Sequence, residues 1–301
     1  MVEVQRIGID FTIGARRLAA VPRKLAIWSF GLEQVLAPDL SEPPAPGPDG
    51  LRILSAPKAL IGAITARFPG FVAGGRQDYR RHYIDMGQSF DAYLAQFSGK
   101  TRSTLRRKAR RLEETGGYAV SEHRTPAEIE AFLDAALPLS ARTYQARLLD
   151  AGLPGDAASR RAMLEAAEAD RMRAFLLHVG GQPIAYLALP VTGATLVYAH
   201  LGYDPAFARL SPGTVLQMEA LERLFAEGRY RWFDFTEGEG AHKALFGTHS
   251  AECASLVLLR PTLANRALLA ARGAFDAGVA QARTLAERSG ALARIRAGLR
   301  A

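Results

Sequence analysis

The sequence predicts a mixed α/β fold in which a mixed sheet packs against helices. Three short apolar segments within residues 174–201 are separated by the tight turns Gly180-Gly181 and Thr192-Gly193, which predicts successive antiparallel strands. A sharply bounded helix over residues 212–227 and a strand-like segment at 232–235 follow. Hairpins followed by a strand–helix–strand unit are typical of a domain built as layers around one sheet.

The first ninety residues give weaker signals. Residues 38–50 are rich in proline and glycine, which predicts an irregular surface connection. Residues 51–68 predict a short strand and then a helix, and residues 80–86 predict another strand.

Three helices are predicted next. Residues 89–117 are predicted to form one long helix, with its apolar stripe at Leu105, Ala109 and Leu112. A strand at residues 118–123 follows. Thr125-Pro126 with Glu128 predicts the start of a helix that reaches about Ala151, and a shorter helix is predicted over residues 157–169.

The C-terminal part begins with a strand at residues 254–259. Residues 262–301 are alanine-rich and contain seven arginines but only Asp276 and Glu287 as acids. They predict two amphipathic helices, separated near Gly273 and Ser289-Gly290. Their basic face is either a solvated surface packed on the domain or a docking surface for a membrane or an acidic carrier.

Composition limits the class of protein. A chain of 301 residues with a formal net charge of +8 is expected to be soluble and to have an acidic partner. This could be a nucleic acid, an anionic membrane, a phosphate-bearing cofactor or an acidic carrier protein. The single cysteine, Cys253, excludes an intrachain disulfide and gives no metal cluster. The N-terminal residues lack a signal-peptide pattern, and the charge-poor residues 179–202 read as a hairpin, so a cytoplasmic protein is expected.

The start of the helix at residues 212–227 is the sharpest local signal. Ser211 is at the N-cap position, Pro212 and Gly213 are the first helical residues, and Gly228 ends the helix. A helix start presents backbone N–H groups and the positive end of the helix dipole. Because Gly213 has no side chain, it would let a ligand approach the backbone closely, so a phosphate is the expected ligand. The alternative is an ordinary capped helix.

Three segments resemble one family. They are YIDM with KTRSTLRRKARRLEETGGYAV (within 83–120), YAHLGYDPAFARLSPGTVL (198–216) and WFDFTEGEGAHKALFG (232–247). Their order and spacing are similar to those of GNAT-fold acyltransferases of the Fem/CelD-like (BioF2-like) branch. Two departures stand out. The second glycine of the usual pyrophosphate loop is absent, and His242 replaces a tyrosine that related sequences often have before the lysine.

The resemblance implies three regions. These are a reduced N-terminal GNAT-like half (1–87), a GNAT-like acyltransferase domain (88–260) and a C-terminal helical segment (261–301). No long helical-arm insertion, a feature of Fem enzymes that use aminoacyl-tRNA, is recognisable.

The resemblance also implies the donor and its binding residues. The donor would be acyl-CoA or an acyl-phosphopantetheine carrier, with no metal. Its phosphates would bind at the helix start, through the residues Arg209, Ser211, Pro212, Gly213 and Thr214.

Candidate catalytic residues follow from the implied path of the thioester along residues 195–201. His200 is the expected proton acceptor, because imidazole titrates near neutral pH; the alternative is a core histidine. Asp234 could orient this base, hold an ammonium substrate or cap a turn, and Glu237 is a substitute base. Tyr198 and Tyr203 could protonate the leaving thiolate. A water chain in place of a dedicated base stays open.

Candidate acceptor-binding residues are basic or aromatic. Arg102 and Arg106 flank the apolar stripe of their helix and are expected to contact an anionic group, whereas the other basic residues there read as a solvated face. Tyr203 and Lys243 complete the set. The basic helix has no interleaved aromatic residues, which disfavours nucleic acid.

The expected function is transfer of an acyl group to a primary amine of an envelope polysaccharide or lipid precursor, such as an amino sugar, amino acid or long-chain amino alcohol. An acyl carrier protein and a membrane surface are further expected partners. The alternatives are a Fem-like aminoacyl-tRNA-dependent transferase and a catalytically silent GNAT scaffold that binds nucleic acid or membrane.

Overall fold

The computed structural model describes residues 4–13, 16–37, 40, 42–143, 152–238 and 240–288. The chain divides into two compact units, Met1–Tyr79 with Glu252–Ala301, and Arg80–Ala251. Both boundaries fall inside strands, β4 (Val72–Asp85) and β11 (His249–Leu259). No helix among the described residues is long and apolar enough to cross a bilayer.

The first unit is built on strands in the order β1-β2-β3-β11-β4. Its further elements are β1 (Val4–Ile13), β2 (Arg16–Ser29), α1 (Leu32–Leu36), β3 (Gly50–Pro57), α2 (Ile61–Ala66) and α9 (Leu263–Arg288). β1 and β2 form an antiparallel hairpin, β3 is parallel to β2, and β11 is antiparallel to β3. The strand and helix predicted within residues 51–68 are confirmed.

Helix α9 packs its apolar face on this sheet. Leu268 and Leu269 join Ile9 and Leu25 in a buried cluster, and the Phe275 ring meets Phe11 edge-on. The predicted break at Gly273 is wrong, because α9 continues through it. One glycine costs a helix only about 1 kcal/mol, which packing on both sides of it can offset. The second predicted break, at Ser289-Gly290, lies outside the described residues.

The second unit has strands in the order β4-β10-β8-β7-β6-β5, with β9 also paired to β7. Its strands are β5 (Tyr118–His123), β6 (Met172–Val179), β7 (Gln182–Thr192), β8 (Thr195–Val197), β9 (His200–Tyr203) and β10 (Trp232–Asp234). Its helices are α3 (Phe90–Ala95), α4 (Gly99–Glu113), α5 (Pro126–Arg142), α6 (Ala157–Glu168), α7 (Pro212–Glu227) and α8 (Ala241–Phe246).

Alternating residues of the second sheet serve two different cores. Ala174 and Leu176 of β6 belong to a cluster with α5 and α6, whereas Phe175 and Leu177 belong to a cluster with α3, α4, α7 and α8. This period of two is what a strand buried on both faces requires. The sheet is mixed, because β10 runs parallel to β8 and the other pairs here are antiparallel. The predicted mixed α/β fold is confirmed.

Two predicted elements are each divided in the structure. The single helix predicted at residues 89–117 is α3 and α4. Ser98 begins the second helix, because its hydroxyl accepts from Thr101 N at 3.2 Å, and the Phe97 ring turns inward to contact Phe246. The strand predicted at residues 195–201 is β8 and β9, with Tyr198 and Ala199 between them.

Candidate active site

The strands of the second unit diverge at Tyr198. β8 pairs in parallel with β10, from Thr195 opposite Trp232 to Val197 opposite Asp234. Tyr198 N then donates to Asp234 O at 2.9 Å. Beyond that bond β9 pairs with β7, where His200 is opposite Ala188. The gap that opens between β9 and β10 places Tyr198 at its apex.

Tyr198 and His242 form a polar pair inside an aromatic cluster. The Tyr198 hydroxyl lies 3.3 Å from His242 Nε2. The Tyr198 ring contacts Phe235, and His242 contacts Phe246 with ring centroids 4.9 Å apart. Since α8 begins only seven residues after β10 ends, the short connection brings His242 back to the strand end.

Burial and charge keep both members of this pair neutral. Burial raises the pKa of Tyr198, so its hydroxyl keeps its proton. Burial, followed by the nearby positive charges of Lys243 and Lys108, lowers the pKa of His242 below its ordinary value of 6.5. A neutral imidazole next to a protonated phenol can pass a proton in either direction.

Asp234 is engaged by the protein itself. Arg81 Nε donates to Asp234 Oδ1 at 3.0 Å and Arg81 Nη2 donates to Asp234 Oδ2 at 2.5 Å, in a buried bidentate pair. Thr236 N also donates to Oδ1 at 2.9 Å. The Thr236 contact is the turn cap that the sequence left open as an alternative. No contact joins Asp234 to His200 among the described residues.

Lys243 lies close to Asp234 but bonds elsewhere. Its ammonium donates to the backbone oxygen of Glu237. Burial and the charge of Arg81 lower the pKa of Lys243, against the opposing effects of Asp234 and Glu237. The side chain of Glu237 is exposed on the loop.

His200 is half-buried on β9. Burial lowers its pKa, and no charged group contributes to the shift. Its imidazole has no hydrogen bond to any described residue. The interruption after β8 also removes the regular alternation that would have put Tyr198 and His200 on one face.

The start of α7 differs from an ordinary capped helix. Ser211 has the left-handed angles φ 56 and ψ 47, and its side chain makes no capping bond. The Thr214 and Val215 N–H groups both donate to Ser211 O, at 3.0 and 3.3 Å, and Pro212 has no N–H. Gly213 N–H is therefore the unbonded donor of this turn, fewer than the several that the sequence predicted.

Gly213 packs closely against β9. A Cβ at this position would lie 2.9 Å from Leu201 Cδ2 and 3.3 Å from Tyr203 Cδ1. Its missing side chain thus lets α7 approach β9, and the expected role in ligand approach stays a prediction. Arg209 is exposed on the short 3-10 turn that precedes Ser211.

A lysine of α4 reaches the start of α7. Lys108 Nζ donates to Thr214 Oγ1 at 3.2 Å, and burial lowers the pKa of Lys108. A half-buried ammonium beside the positive end of a helix forms a cationic surface suited to phosphate.

An apolar groove of about 160 Å³ adjoins Thr214 between α3, α4 and α7. Arg102 and Arg106 lie on its rim, as do Glu219 and Glu222. Arg102 also donates to Phe97 O at 2.6 Å, so it caps the end of α3. Both arginines therefore lie where a ligand bound at Thr214 could contact them.

Three residues of this site were not among the sequence-based candidates. Lys108 was assigned to the solvated face, although it lies three residues after Leu105 and four before Leu112 and so is on the flank of the apolar stripe. His242 was noted only as a departure from the family pattern. Arg81 carries no local signal, since only the fold brings it to Asp234.

Among the described residues, no group of three or more potential metal ligands lies together.

Comparison with known proteins supports the fold. Residues 99–244 match the family model described as Acetyltransferase (GNAT) domain. The structure entitled "Crystal structure of FemX" is similar with a TM-score of 0.52 and 12% identity, over 86% of this chain and 89% of that one.

A second solved structure is the C-terminal domain (DUF2156) of a putative lysylphosphatidylglycerol synthetase from Agrobacterium fabrum. It has a TM-score of 0.50 and 15% identity, over 75% of this chain and 72% of that one. No curated protein matches the sequence. Residues 99–244 thus resemble a GNAT acetyltransferase domain, in a chain with a GNAT-like fold.

Proposed function

We propose that this protein is an N-acyltransferase that moves an acyl group from acyl-CoA, or from an acyl carrier protein, to a primary amine of an envelope polysaccharide or lipid precursor. The observation that carries the proposal is the divergence of β9 from β10 directly after Tyr198. A gap between two strands exposes backbone groups that can hold the extended arm of a thioester donor.

The donor phosphates are proposed to bind at the start of α7. Lys108 supplies an ammonium, Thr214 a hydroxyl, and Gly213 the unbonded N–H of the first turn. Arg102 and Arg106 lie along the adjoining groove, where they could contact a second anionic group of the donor. This arrangement does not need the second glycine of the usual pyrophosphate loop, because the Lys108 ammonium replaces some of the backbone N–H donors.

The chemistry requires a net transfer of one proton from the amine to sulfur. The amine nitrogen attacks the thioester carbon, the C–N bond forms and the C–S bond breaks. We propose that His242 accepts the amine proton, that Tyr198 donates its hydroxyl proton to the leaving thiolate, and that His242 then reprotonates Tyr198 across their 3.3 Å contact. His200 stays the alternative base.

The acceptor is proposed to bind beside α8. A cavity of about 540 Å³ there is lined by Arg80, His82, Gly240, Ala241 and Ala244. Its basic lining suits an amine that also carries a carboxylate or phosphate, as an envelope precursor would. Lys243 and Tyr203 are the further acceptor contacts that the sequence predicted.

Donor binding tests the proposal most directly. Calorimetric titration of the purified protein with acetyl-CoA should show one saturable site. Lys108→Met should weaken this site at least about tenfold, because a charge-assisted contact is lost. Lys100→Met is the matched control, since Lys100 is exposed on the same helix and should leave binding unchanged.

The aminoacyl-tRNA alternative is tested in the same experiment. Binding of aminoacyl-tRNA without binding of acetyl-CoA or of acyl carrier protein would assign the chain to that class. Binding of anionic vesicles alone would indicate the catalytically silent scaffold.

A further inference from the structure

The first unit contains a polar cavity of about 140 Å³. It lies among β1, β3, β4, β11 and α9, and its polar lining comprises Asp10, Thr12, Arg52, Gln77, Ser255 and Arg272. Every one of these residues belongs to the first unit, outside residues 99–244. The cavity is therefore separate from the GNAT family match.

The acidic group of this cavity lacks a hydrogen-bond partner. Asp10 Oδ1 is buried and accepts no hydrogen bond. Among the described residues, the one cation within 4 Å of this oxygen is Arg17. Its Nη1 is 3.9 Å away, too far for a hydrogen bond, and its side chain is 67% exposed. A buried carboxylate oxygen without a donor is unfavourable, and such a group requires an explanation.

The two arginines of the cavity, Arg52 and Arg272, also have guanidinium nitrogens without hydrogen-bond partners among the described residues. Arg52 is half-buried, and its guanidinium forms no hydrogen bond or ion pair with any described residue. Arg272 Nε donates to Asp276 Oδ2 at 2.8 Å, which leaves its terminal nitrogens for the cavity. Opposite charges thus line one cavity and do not pair with each other.

We propose that this cavity binds a small zwitterion, an α-amino acid of the size of glycine or alanine. Its ammonium would donate to Asp10 Oδ1 and its carboxylate would accept from Arg52. The cavity volume of about 140 Å³ exceeds the ~30 Å³ share of one water molecule and leaves room for a molecule of this size. A simple anion would meet the charge of Asp10, and a simple cation would meet Arg52 and Arg272, so neither suits the site.

This inference does not depend on the proposed acyl transfer. The residues involved contribute nothing to the site around Tyr198, so either assignment can fail alone. An amino acid bound in the first unit would be a second small-molecule ligand of the chain.

Calorimetry and NMR titration of the full chain with glycine and L-alanine test the proposal. Both amino acids should bind at millimolar concentration or below, and acetate and methylammonium should bind at least about tenfold more weakly, since each makes half of the contacts. Asp10→Asn and Arg52→Gln should each weaken glycine binding at least about tenfold. Arg17→Gln is the control and should leave it unchanged.

The comparison of glycine with acetate and methylammonium uses the unaltered protein, so it tests the proposal even where a variant does not fold. Absence of glycine and alanine binding would overturn the proposal. Acetate binding as tight as glycine would also overturn it, because the site would then be an anion site. If Arg17→Gln weakened glycine binding as much as Asp10→Asn does, Asp10 would be the partner of Arg17 and not of the ligand, which would contradict the proposal.

Discussion

Two helices of the second unit begin with nearly the same sequence and have different structures. Helix α5 follows Thr125-Pro126, and α7 follows Ser211-Pro212. Thr125 is extended, its hydroxyl accepts from Glu128 N, and Glu128 Oε2 accepts from Thr125 N at 2.9 Å, which forms a complete capping box. Ser211 is left-handed and makes no side-chain bond to its helix.

We interpret the difference as one between a structural helix start at α5 and the proposed donor site at α7. A left-handed serine costs about 1–2 kcal/mol, and here no cap offsets it. Strain of this kind persists where the surrounding structure imposes it, and it is concentrated at binding sites. Removing the side chain at the start of α5 should therefore lower stability through the lost cap, whereas Ser211 has no cap to lose.

The largest expected effect is on turnover. His242→Gln should lower kcat by about 10²–10⁴-fold with donor affinity and melting temperature unchanged, because a general base is lost. Since burial and two lysines lower the pKa of His242, the acidic limb of the wild-type pH–rate profile should lie below 6.5 and should disappear in the variant.

His200→Gln is the matched control for this prediction. The two histidines are both half-buried, and both have lowered pKa values. If His200→Gln is slow and His242→Gln is not, the base is the histidine that the sequence predicted.

The next effect is on packing at the start of α7. Gly213→Ala should lower the free energy of unfolding by about 1–3 kcal/mol, because the new methyl group would overpack against Leu201. Chemical denaturation measures this, and adding Leu201→Val should restore part of the loss. Gly62→Ala, in a helix where a Cβ meets no atom within 4 Å, should not destabilise the protein. Full stability of Gly213→Ala would contradict this packing role and leave ligand approach as the reason for this glycine.

A smaller pair of effects compares the caps directly. Thr125→Ala should lower the free energy of unfolding by about 1 kcal/mol through loss of the cap. Ser211→Gly should leave it unchanged or raise it by up to about 1 kcal/mol, since glycine adopts the left-handed region without strain. Destabilisation by Ser211→Gly equal to that of Thr125→Ala would remove the distinction between the two helix starts.

The smallest effect is a pH dependence at the start of α5. Hydrogen bonds from the backbone of Thr125 and Arg124 hold the pKa of Glu128 below its ordinary 4.5. A carboxylate whose pKa is lower in the folded state than in the unfolded state stabilises the fold at pH values above its unfolded-state pKa. This stabilisation is lost as the pH falls through the folded-state pKa. The stability difference between wild type and Glu128→Gln should therefore shrink below pH 4.5. A stability difference between wild type and Glu128→Gln that does not change with pH would contradict this prediction.

Much of the fold was predictable because it depends on local patterns. The strands of the hairpins after Met172, the helix with the capping box and the α7 boundaries follow from turn residues and periodicity. The hairpin of β1 and β2 was not predicted, since its polar residues, such as Arg6 and Arg17, hide a regular alternation. The short helix α8 was also missed, because six residues give too few periods.

The candidate site was predictable in part. Tyr198 and Lys243 follow from strand order and family pattern, and the structure places both near the strand divergence. The pairing of Tyr198 with His242 joins residues 44 positions apart in sequence, and Arg81 is 153 positions from Asp234. No periodic pattern encodes such contacts, because they depend on sheet order.

The pair of Arg81 and Asp234 bears on how the domain can be inherited or excised. The family match begins at residue 99, yet β4, which flanks β10 and carries Arg81, lies before it. A gene fragment cut at the family boundaries would lose both the guanidinium that pairs with Asp234 and the strand that pairs with β10, so β10 would become an unpaired edge. We therefore expect recombination, natural or engineered, to move this GNAT domain only together with the strand that precedes it.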